Sequence, residues 1–221
     1  MSYVPEFVAL YEIIPYIEFL PLNNTTIRDA VKIYYNFSCL EYIEDEEDEI
    51  TYNAYKVVIK KYGNIEEWNT SQVTNMSKLF WDLSYFNQHI GKWDTSNVTN
   101  MNHMFYDACN FNQDISGWDV SKVTDMGCIF YNAKSFNQPI GNWNVSNVVS
   151  MANMFYRAEH FNEDISKWDV SKVTNMTGMF YRAEHFNEDI SKWDVSKVTS
   201  VYCMFLGAKN FNLEHAPWFH E

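Results

Sequence analysis

Basic residues, glycine and proline are scarce in this chain of 221 residues, and each shortage excludes a class of protein. Lysine and arginine together number 16 against 29 aspartates and glutamates, which gives a formal net charge of −13. Because surfaces that bind nucleic acid or an anionic membrane need clustered cations, we expect neither partner. Seven glycines and five prolines are too few for a collagen-like or low-complexity chain.

Uninterrupted apolar runs and closely spaced cysteines are also missing. The first 21 residues are rich in apolar side chains, but three glutamates and three prolines interrupt them, so they match neither a signal peptide nor a membrane-spanning helix. The chain has no CxxC motif, and its cysteines lie far apart in sequence, at Cys39, Cys109, Cys128 and Cys203. We therefore expect an intracellular protein with free thiols, in a host cytoplasm or a virion if the source is viral.

The chain does contain a repeat of 25 residues. Tryptophan recurs at this interval from Trp68 to Trp218, and a Phe-Asn pair recurs from Phe86 to Phe211. Columns of isoleucine, valine and methionine have the same period, and residues 154–174 are identical to residues 179–199. Self-similarity at a fixed period is the sequence signature of a repeat protein.

One repeat is too small to bury its own aromatic and methionine side chains, so the copies must stack and share a core. The Phe-to-Ile segment predicts a short parallel strand, and the Met-x-x-Met-Phe-x-x-Ala spacing predicts one or two helical turns. The sequence thus predicts an α/β solenoid, a right-handed array of about six repeats whose tryptophan rings lie about 4.8 Å apart, the spacing of paired strands. Columns of Asn, Ser and Thr are predicted to bond backbone groups in the turns.

The chain divides into residues 1–62, predicted to be a helical N-terminal cap, and residues 63–221, the repeat array. Thr25 or Thr26 can cap a first helix whose apolar stripe includes Ile27. The acidic run 41–49 is predicted to be an exposed loop, followed by a second helix over about residues 51–61. Repeat arrays need such a cap to close their first unit, and a docking tail is the alternative role.

The segments FNQDISGWDVSKVTDM, from Phe111, and SFNQPIGNWNVSNV, from Ser135, resemble the BspA-like leucine-rich-repeat family. Within it they are similar to a 25-residue repeat of unknown function found in bacterial surface lipoproteins and large DNA viruses. The resemblance covers about residues 63–221 and implies a leucine-rich-repeat-like fold and a binding role without known chemistry. The signal peptide, lipidation cysteine and wall anchor of the surface members are not recognisable in this sequence, so we expect the intracellular or viral branch.

Catalytic motifs are absent from the sequence, which contains no P-loop, GxSxG, HExxH or zinc-spaced cysteine set. The acidic residues recur with the repeat, whereas an active site is ordinarily a single constellation. Duplication alone explains the pair His160 and His185. We therefore expect no enzymatic activity and no cofactor or metal.

We expect instead a surface that binds protein. Variable positions on the predicted strand-lined face carry acidic, amide and lysine side chains, and they suit a partner protein with a basic patch. The alternatives are a purely structural component of a virion or assembly, and a carbohydrate-binding surface built on Trp81 and the tyrosines from Tyr106 to Tyr181. The candidate protein-binding residues are Gln113, Asp114, Gln138, Glu163, Asp164, Lys167, Glu188, Asp189 and Lys192.

Overall fold

Two helices precede a stack of irregular coils. The computed structural model describes residues 19–39 and 46–220. Helix α1 spans Thr26–Ser38 and helix α2 spans Glu46–Tyr62. Helix α1 buries its predicted apolar stripe, but its first turn is not capped by Thr25, whose side chain makes no capping bond. Instead, the Oδ1 atom of Asn23 accepts the backbone N–H groups of Thr25 and Thr26.

The prediction of an exposed loop over the acidic run 41–49 is wrong for residues 46–49, because helix α2 begins at Glu46. The remainder of that run lies outside the described residues, as do residues 1–18. Helix α2 packs against helix α1, and the rings of Phe37 and Tyr55 stack with their centroids 3.9 Å apart.

Each 25-residue repeat forms one coil, and consecutive coils touch through single parallel bridges. The bridging residues recur 25 apart, from Asn75 and Asn100 to Ser200. Two three-residue 3-10 turns, Ile65–Glu67 and Leu213–His215, lie near the two ends of the stack.

The predicted α/β solenoid of parallel strands and helical turns is therefore wrong. In the described repeats no strand extends beyond a single bridging residue, and the Phe-to-Ile segment forms no strand. The segment predicted to be helical is a run of tight turns. Two of its residues in each coil, such as Lys78 and Asp82, have φ near +60° (57° and 63°). Because the left-handed region is incompatible with a right-handed helix, the helix cannot form.

Hydrogen bonds to the next coil determine this turn geometry. The N–H groups of Lys78 and Phe80 donate to carbonyl oxygens of the following coil, those of Asn102 and Met104. The N–H of Leu79, between them, bonds to Met76 within its own coil. Alternate backbone donors thus point along the stack, whereas in an α-helix all of them would point along the segment itself.

Aromatic rings fill the shared core. Phe130 and Phe136 of one coil stack with centroids 3.9 Å apart, and Phe130 lies 5.6 Å from Phe155 of the next coil. The predicted tryptophan spacing is wrong, since the rings of Trp168 and Trp193 are 6.4 Å apart. The distance between equivalent rings differs from column to column, since the tyrosine rings of adjacent coils lie only 4.3 to 4.4 Å apart.

The prediction for the polar columns is confirmed for asparagine and threonine, whereas the serine hydroxyls of Ser71, Ser96 and Ser146 donate to Asn or Asp side chains rather than to the backbone. The N–H of Asn112 donates to Oδ1 of Asn87 at 2.9 Å, and the same bond repeats along the stack to Asn212. The hydroxyl of Thr99 donates to the carbonyl of Thr74 at 3.2 Å. Short polar side chains therefore satisfy backbone groups that have no strand or helix to pair with.

Side chains of the N-terminal segment close the first coil. The guanidinium of Arg28 donates to the carbonyls of Ser77, at 2.6 Å, and Asn75, at 3.4 Å. In later coils the equivalent carbonyls accept from N–H groups of the preceding coil. Oδ1 of Asn24 likewise accepts the N–H of Thr74, in place of a carbonyl of a preceding coil. Two side chains thus substitute for a missing neighbour.

All four cysteines are free in the structure, which leads to a prediction about their reactivity. In denaturant without reductant, all four thiols should react with Ellman's reagent. In the folded protein exposed Cys39 should react first, whereas Cys128 should react slowly because burial raises the pKa of its thiol. Counting reacted thiols against time makes the measurement, and fewer than four before reduction would contradict it.

Candidate functional site

The candidate binding residues lie at one corner of the coils, and we call the surface they form the acidic face. In one coil Phe161 and Ile165 are buried, so the residues between them turn outwards. Glu163 is half-buried and Asp164 is exposed. The face is an irregular bend rather than the predicted row of strands. It comprises Gln113, Asp114, Gln138, Glu163, Asp164, Lys167, Glu188, Asp189 and Lys192.

Glutamines of the acidic face are tied to the asparagine column. Nε2 of Gln138 donates to Oδ1 of Asn112 at 2.8 Å, and Gln113 makes the equivalent bond to the coil before it. Glu163 and Glu188 occupy the same position in the next two coils. An ionised carboxylate cannot donate, so neither glutamate makes this bond.

The aspartates of the face hold turns. Oδ1 of Asp114, Asp164 and Asp189 accepts the N–H of the serine two residues later, each at 2.9 Å. The hydroxyl and backbone N–H of that serine lower the pKa of each aspartate carboxyl. These side chains therefore remain ionised and have a structural role in addition to any binding role.

Glutamate charges on the face repel one another. Burial, followed by the negative charges of Asp164 and Glu163, raises the pKa of the Glu188 carboxyl. A carboxyl whose pKa is raised on folding destabilises the native state as the pH rises through its unfolded pKa and the group ionises. Ionised Glu188 therefore lowers the free energy of unfolding at neutral pH.

A shallow depression of about 160 Å³ lies on the face. Its floor depends on Gly141, since a Cβ at this position would overlap the carbonyl oxygen of Asp164 in the next coil. The depression offers carboxylate, ammonium and amide groups close together, and it is open to solvent. It is lined by Pro139, Gly141, Asn142, Glu163, Asp164 and Lys167.

The tyrosines considered for carbohydrate binding form an aromatic stripe on another side of the coils, made of Trp81, Tyr106, Tyr131, Tyr156 and Tyr181. Neighbouring tyrosine rings stack with centroids 4.3 to 4.4 Å apart. A sugar ring binds an aromatic side chain across the ring face, and within this stripe the faces cover each other. The stripe presents ring edges to solvent, which speaks against a carbohydrate platform.

The histidine pair has a structural explanation. The rings of His160 and His185 stack 5.3 Å apart, and Nδ1 of each lies within hydrogen-bond distance of a carbonyl of the preceding coil. Across residues 19–39 and 46–220, no three His, Cys, Asp or Glu side chains are grouped so that they could hold a metal ion. Within the same ranges, neither helix has the length and apolarity needed to cross a bilayer.

Sequence reasoning missed Arg157 and Arg182, which lie beside the aromatic stripe. Neither forms an ion pair with a carboxylate among the described residues. A signal was present in the sequence: the chain has only three arginines, and these two occupy equivalent positions of adjacent repeats.

Comparison with known proteins places the repeats in a family. No curated protein and no solved structure matches the chain. One family model, described as Mycoplasma protein of unknown function, DUF285, matches twice, over residues 51–162 and 137–221. The two matches overlap and together cover most of helix α2 and the whole stack. This chain therefore belongs to DUF285, a repeat-containing family of unknown function.

Proposed function

We propose that this protein is a non-enzymatic binding module whose acidic face recognises a basic patch on a partner protein. The supporting observation is the change from glutamine to glutamate at one position of the face. Gln138 ties its coil to Asn112, whereas Glu163 and Glu188 give up that bond and add like charges in adjacent coils. A stack selected only for stability would keep glutamine.

The internal duplication explains only one of the two glutamates. Residues 154–174 are identical to residues 179–199, so the second glutamate is explained by copying the first. Copying does not explain why the copied repeat carries a glutamate where other coils have Gln113 and Gln138. A binding role for the carboxylate does, because charge on an exposed corner steers an oppositely charged partner and speeds its association.

We further propose that the interaction takes place inside a cell. We take the repeats to be related to the BspA-like repeats that the motif from Phe111 resembles. Four free thiols support a reducing compartment inside a cell. The net charge of −13 supports a basic protein partner rather than nucleic acid or an anionic membrane.

Replacing Glu163 and Glu188 by glutamine should raise stability while weakening binding. Each new Nε2 group can donate to the asparagine column as Gln138 does, and the repulsion around Glu188 is removed. We expect a gain of about 0.5 kcal/mol per site, the lower end for a net hydrogen bond, because the sites are solvated. Urea denaturation measures the gain. A loss of stability would show that the glutamates serve the fold.

Binding is tested with the partner itself. A photo-crosslinking amino acid at Asn142, in the depression, captures the neighbouring protein in the native host, and association with that protein is then measured at low salt. The reversal E163K/E188K should slow association about tenfold or more.

The matched control for charge compares E163Q/E188Q with D169N/D194N, which removes the same number of negative charges from the same two repeats at another corner and keeps the Oδ1 acceptors. Asparagine is the native residue of that column at Asn144. If E163Q/E188Q and D169N/D194N change the association rate equally, or if neither these variants nor the reversal changes it, the acidic face is not the binding surface.

A further inference from the structure

A second exposed surface of the stack carries unpaired positive charge. Of the three arginines in the chain, Arg28 closes the first coil, and Arg157 and Arg182 occupy equivalent positions of adjacent coils. Both are exposed, and neither pairs with a described carboxylate although the chain has a net charge of −13. The acids two residues further along, Glu159 and Glu184, form their ion pairs with lysines. The hydrogen bond from Lys209 lowers the pKa of the Glu184 carboxyl, and the charge of Arg182 adds to this effect.

The backbone at these positions does not favour arginine. Arg157 has φ +56° and Arg182 has φ +53°, in the left-handed region that Gly, Asn and Asp adopt most readily. Those residue types fill the equivalent position of the other coils, at Asp82, Asp107, Asn132 and Gly207. Duplication explains the second arginine, but the first was retained against a local conformational preference. Strained side-chain choices of this kind concentrate at binding sites.

Neighbouring side chains make the site suitable for an anion. Tyr156 and Tyr181 stack beside the two arginines, and the guanidinium carbon of Arg182 lies 5.5 Å from the centroid of the Tyr181 ring. The stem of Arg182 packs close to Gly207, where an added Cβ would come within 2.8 Å of it. We call the surface formed by Tyr156, Arg157, Tyr181 and Arg182 the Arg–Tyr patch.

We propose that the Arg–Tyr patch binds a short acidic segment of another protein, with two carboxylates of that segment on the two guanidinium groups. Each guanidinium presents a planar fork of donors that matches a carboxylate. Carboxylates one helical turn apart, with Cβ atoms about 5–6 Å from each other, match side chains that repeat from coil to coil.

A short cluster of carboxylates fits better than a continuous polyanion. Towards the N-terminal end of the stack, the same column changes to Asp107 and Asp82, which repel further negative charge. Towards the other end, Tyr202 and Leu206 are 75% and 57% exposed, and they offer apolar contact to residues that flank the carboxylates. The anion-binding stretch is thus two coils long.

The test uses the full chain and a library of random 12-residue peptides displayed on phage. Peptides that bind the variant R157N/R182N are removed first, and those that bind the parent are kept. The variant should fold normally, since asparagine adopts this backbone conformation at Asn132. A second variant, K172N/K197N, removes two positive charges from adjacent coils at another corner, in a column where Asn147 is native.

Recovered peptides should carry at least two acidic residues within four positions. As synthetic peptides they should bind the parent and K172N/K197N about equally, and R157N/R182N about tenfold or more weakly, with affinity falling as salt rises. Failure to recover peptides, recovery of peptides without acidic pairs, or equal loss in both variants would overturn the proposal. Tighter binding of a 20-residue oligothymidylate than of the peptides would overturn it too, and would identify a polyanion site.

Discussion

Replacing Trp143 by alanine is expected to lower the free energy of unfolding by about 3–5 kcal/mol. The indole is 3% exposed, and its ring centroid lies 6.3 Å from that of Phe130. Its Nε1–H donates to the backbone carbonyl of Ile115, in the preceding coil, at 3.2 Å. Alanine would leave a cavity in the shared core and remove a bond between coils. Urea denaturation followed by circular dichroism measures the loss.

The control for this prediction is the same substitution at Trp218. This indole also stacks on its neighbour, Trp193, and donates to the carbonyl of Ile190. It is only half-buried, and within the described residues no further coil covers its outer side. Because each repeat is stabilised by its neighbours on both sides, we expect a clearly smaller loss at Trp218. Equal losses at the two positions would argue against a core shared along the stack.

Substituting Gly141 by alanine is expected to cost about 1–3 kcal/mol through overpacking. The new Cβ would overlap the carbonyl oxygen of Asp164, which belongs to the backbone of the next coil and cannot rotate away. The coils must separate at the acidic face or change the shape of the bend. Denaturation in urea again measures the change, and binding of the captured partner should weaken with it.

Gly117, in the preceding coil, provides the matched control, because a Cβ built there meets no atom within 4 Å. Alanine at this position restricts the unfolded chain and should leave stability unchanged or raise it by about 0.4–1 kcal/mol.

Serine occupies the position of Gly141 in three other coils, but each has an aspartate two residues earlier that accepts the serine N–H. Pro139 cannot provide that acceptor. A cost at Gly117 equal to that at Gly141 would contradict the overlap.

Periodicity predicted the repeat, its length and its buried columns, because apolar side chains must recur wherever coils share a core. It failed for local conformation. One left-handed position carries, in several coils, residue types such as Lys78 and Cys128, which have no preference for positive φ. The other position did carry a local signal for a turn, at residues such as Asp82, Asn132 and Gly207, but the helical spacing of the methionines and phenylalanines outweighed it in the prediction. Hydrogen bonds to a coil 25 residues away decide the matter, and such bonds have no local sequence signal.

The candidate site was partly predictable for a related reason. Buried anchors such as Phe161 and Ile165 fix which residues between them face solvent, so the position of the acidic face followed from the sequence. The structural role of its aspartates could have been predicted from the Asp-x-Ser spacing, which is typical of a side chain that accepts a hydrogen bond within a turn. The bond between Gln138 and Asn112 could not, since it depends on how two coils are aligned.

The small separation of the coils has a mechanical consequence. Equivalent rings of adjacent coils lie only about 4 to 6 Å apart, as for Tyr131 and Tyr156 at 4.4 Å and Phe136 and Phe161 at 6.1 Å, yet each coil contains 25 residues. A fully extended chain reaches about 3.3–3.6 Å per residue, so one coil pulled free of the stack would lengthen the molecule by roughly 80 Å. Tension applied to the last coil acts on its contacts with a single neighbour. The inner coils resist more strongly, because each is held by two neighbours. Under force the protein should therefore unfold from the end of the stack, one repeat at a time.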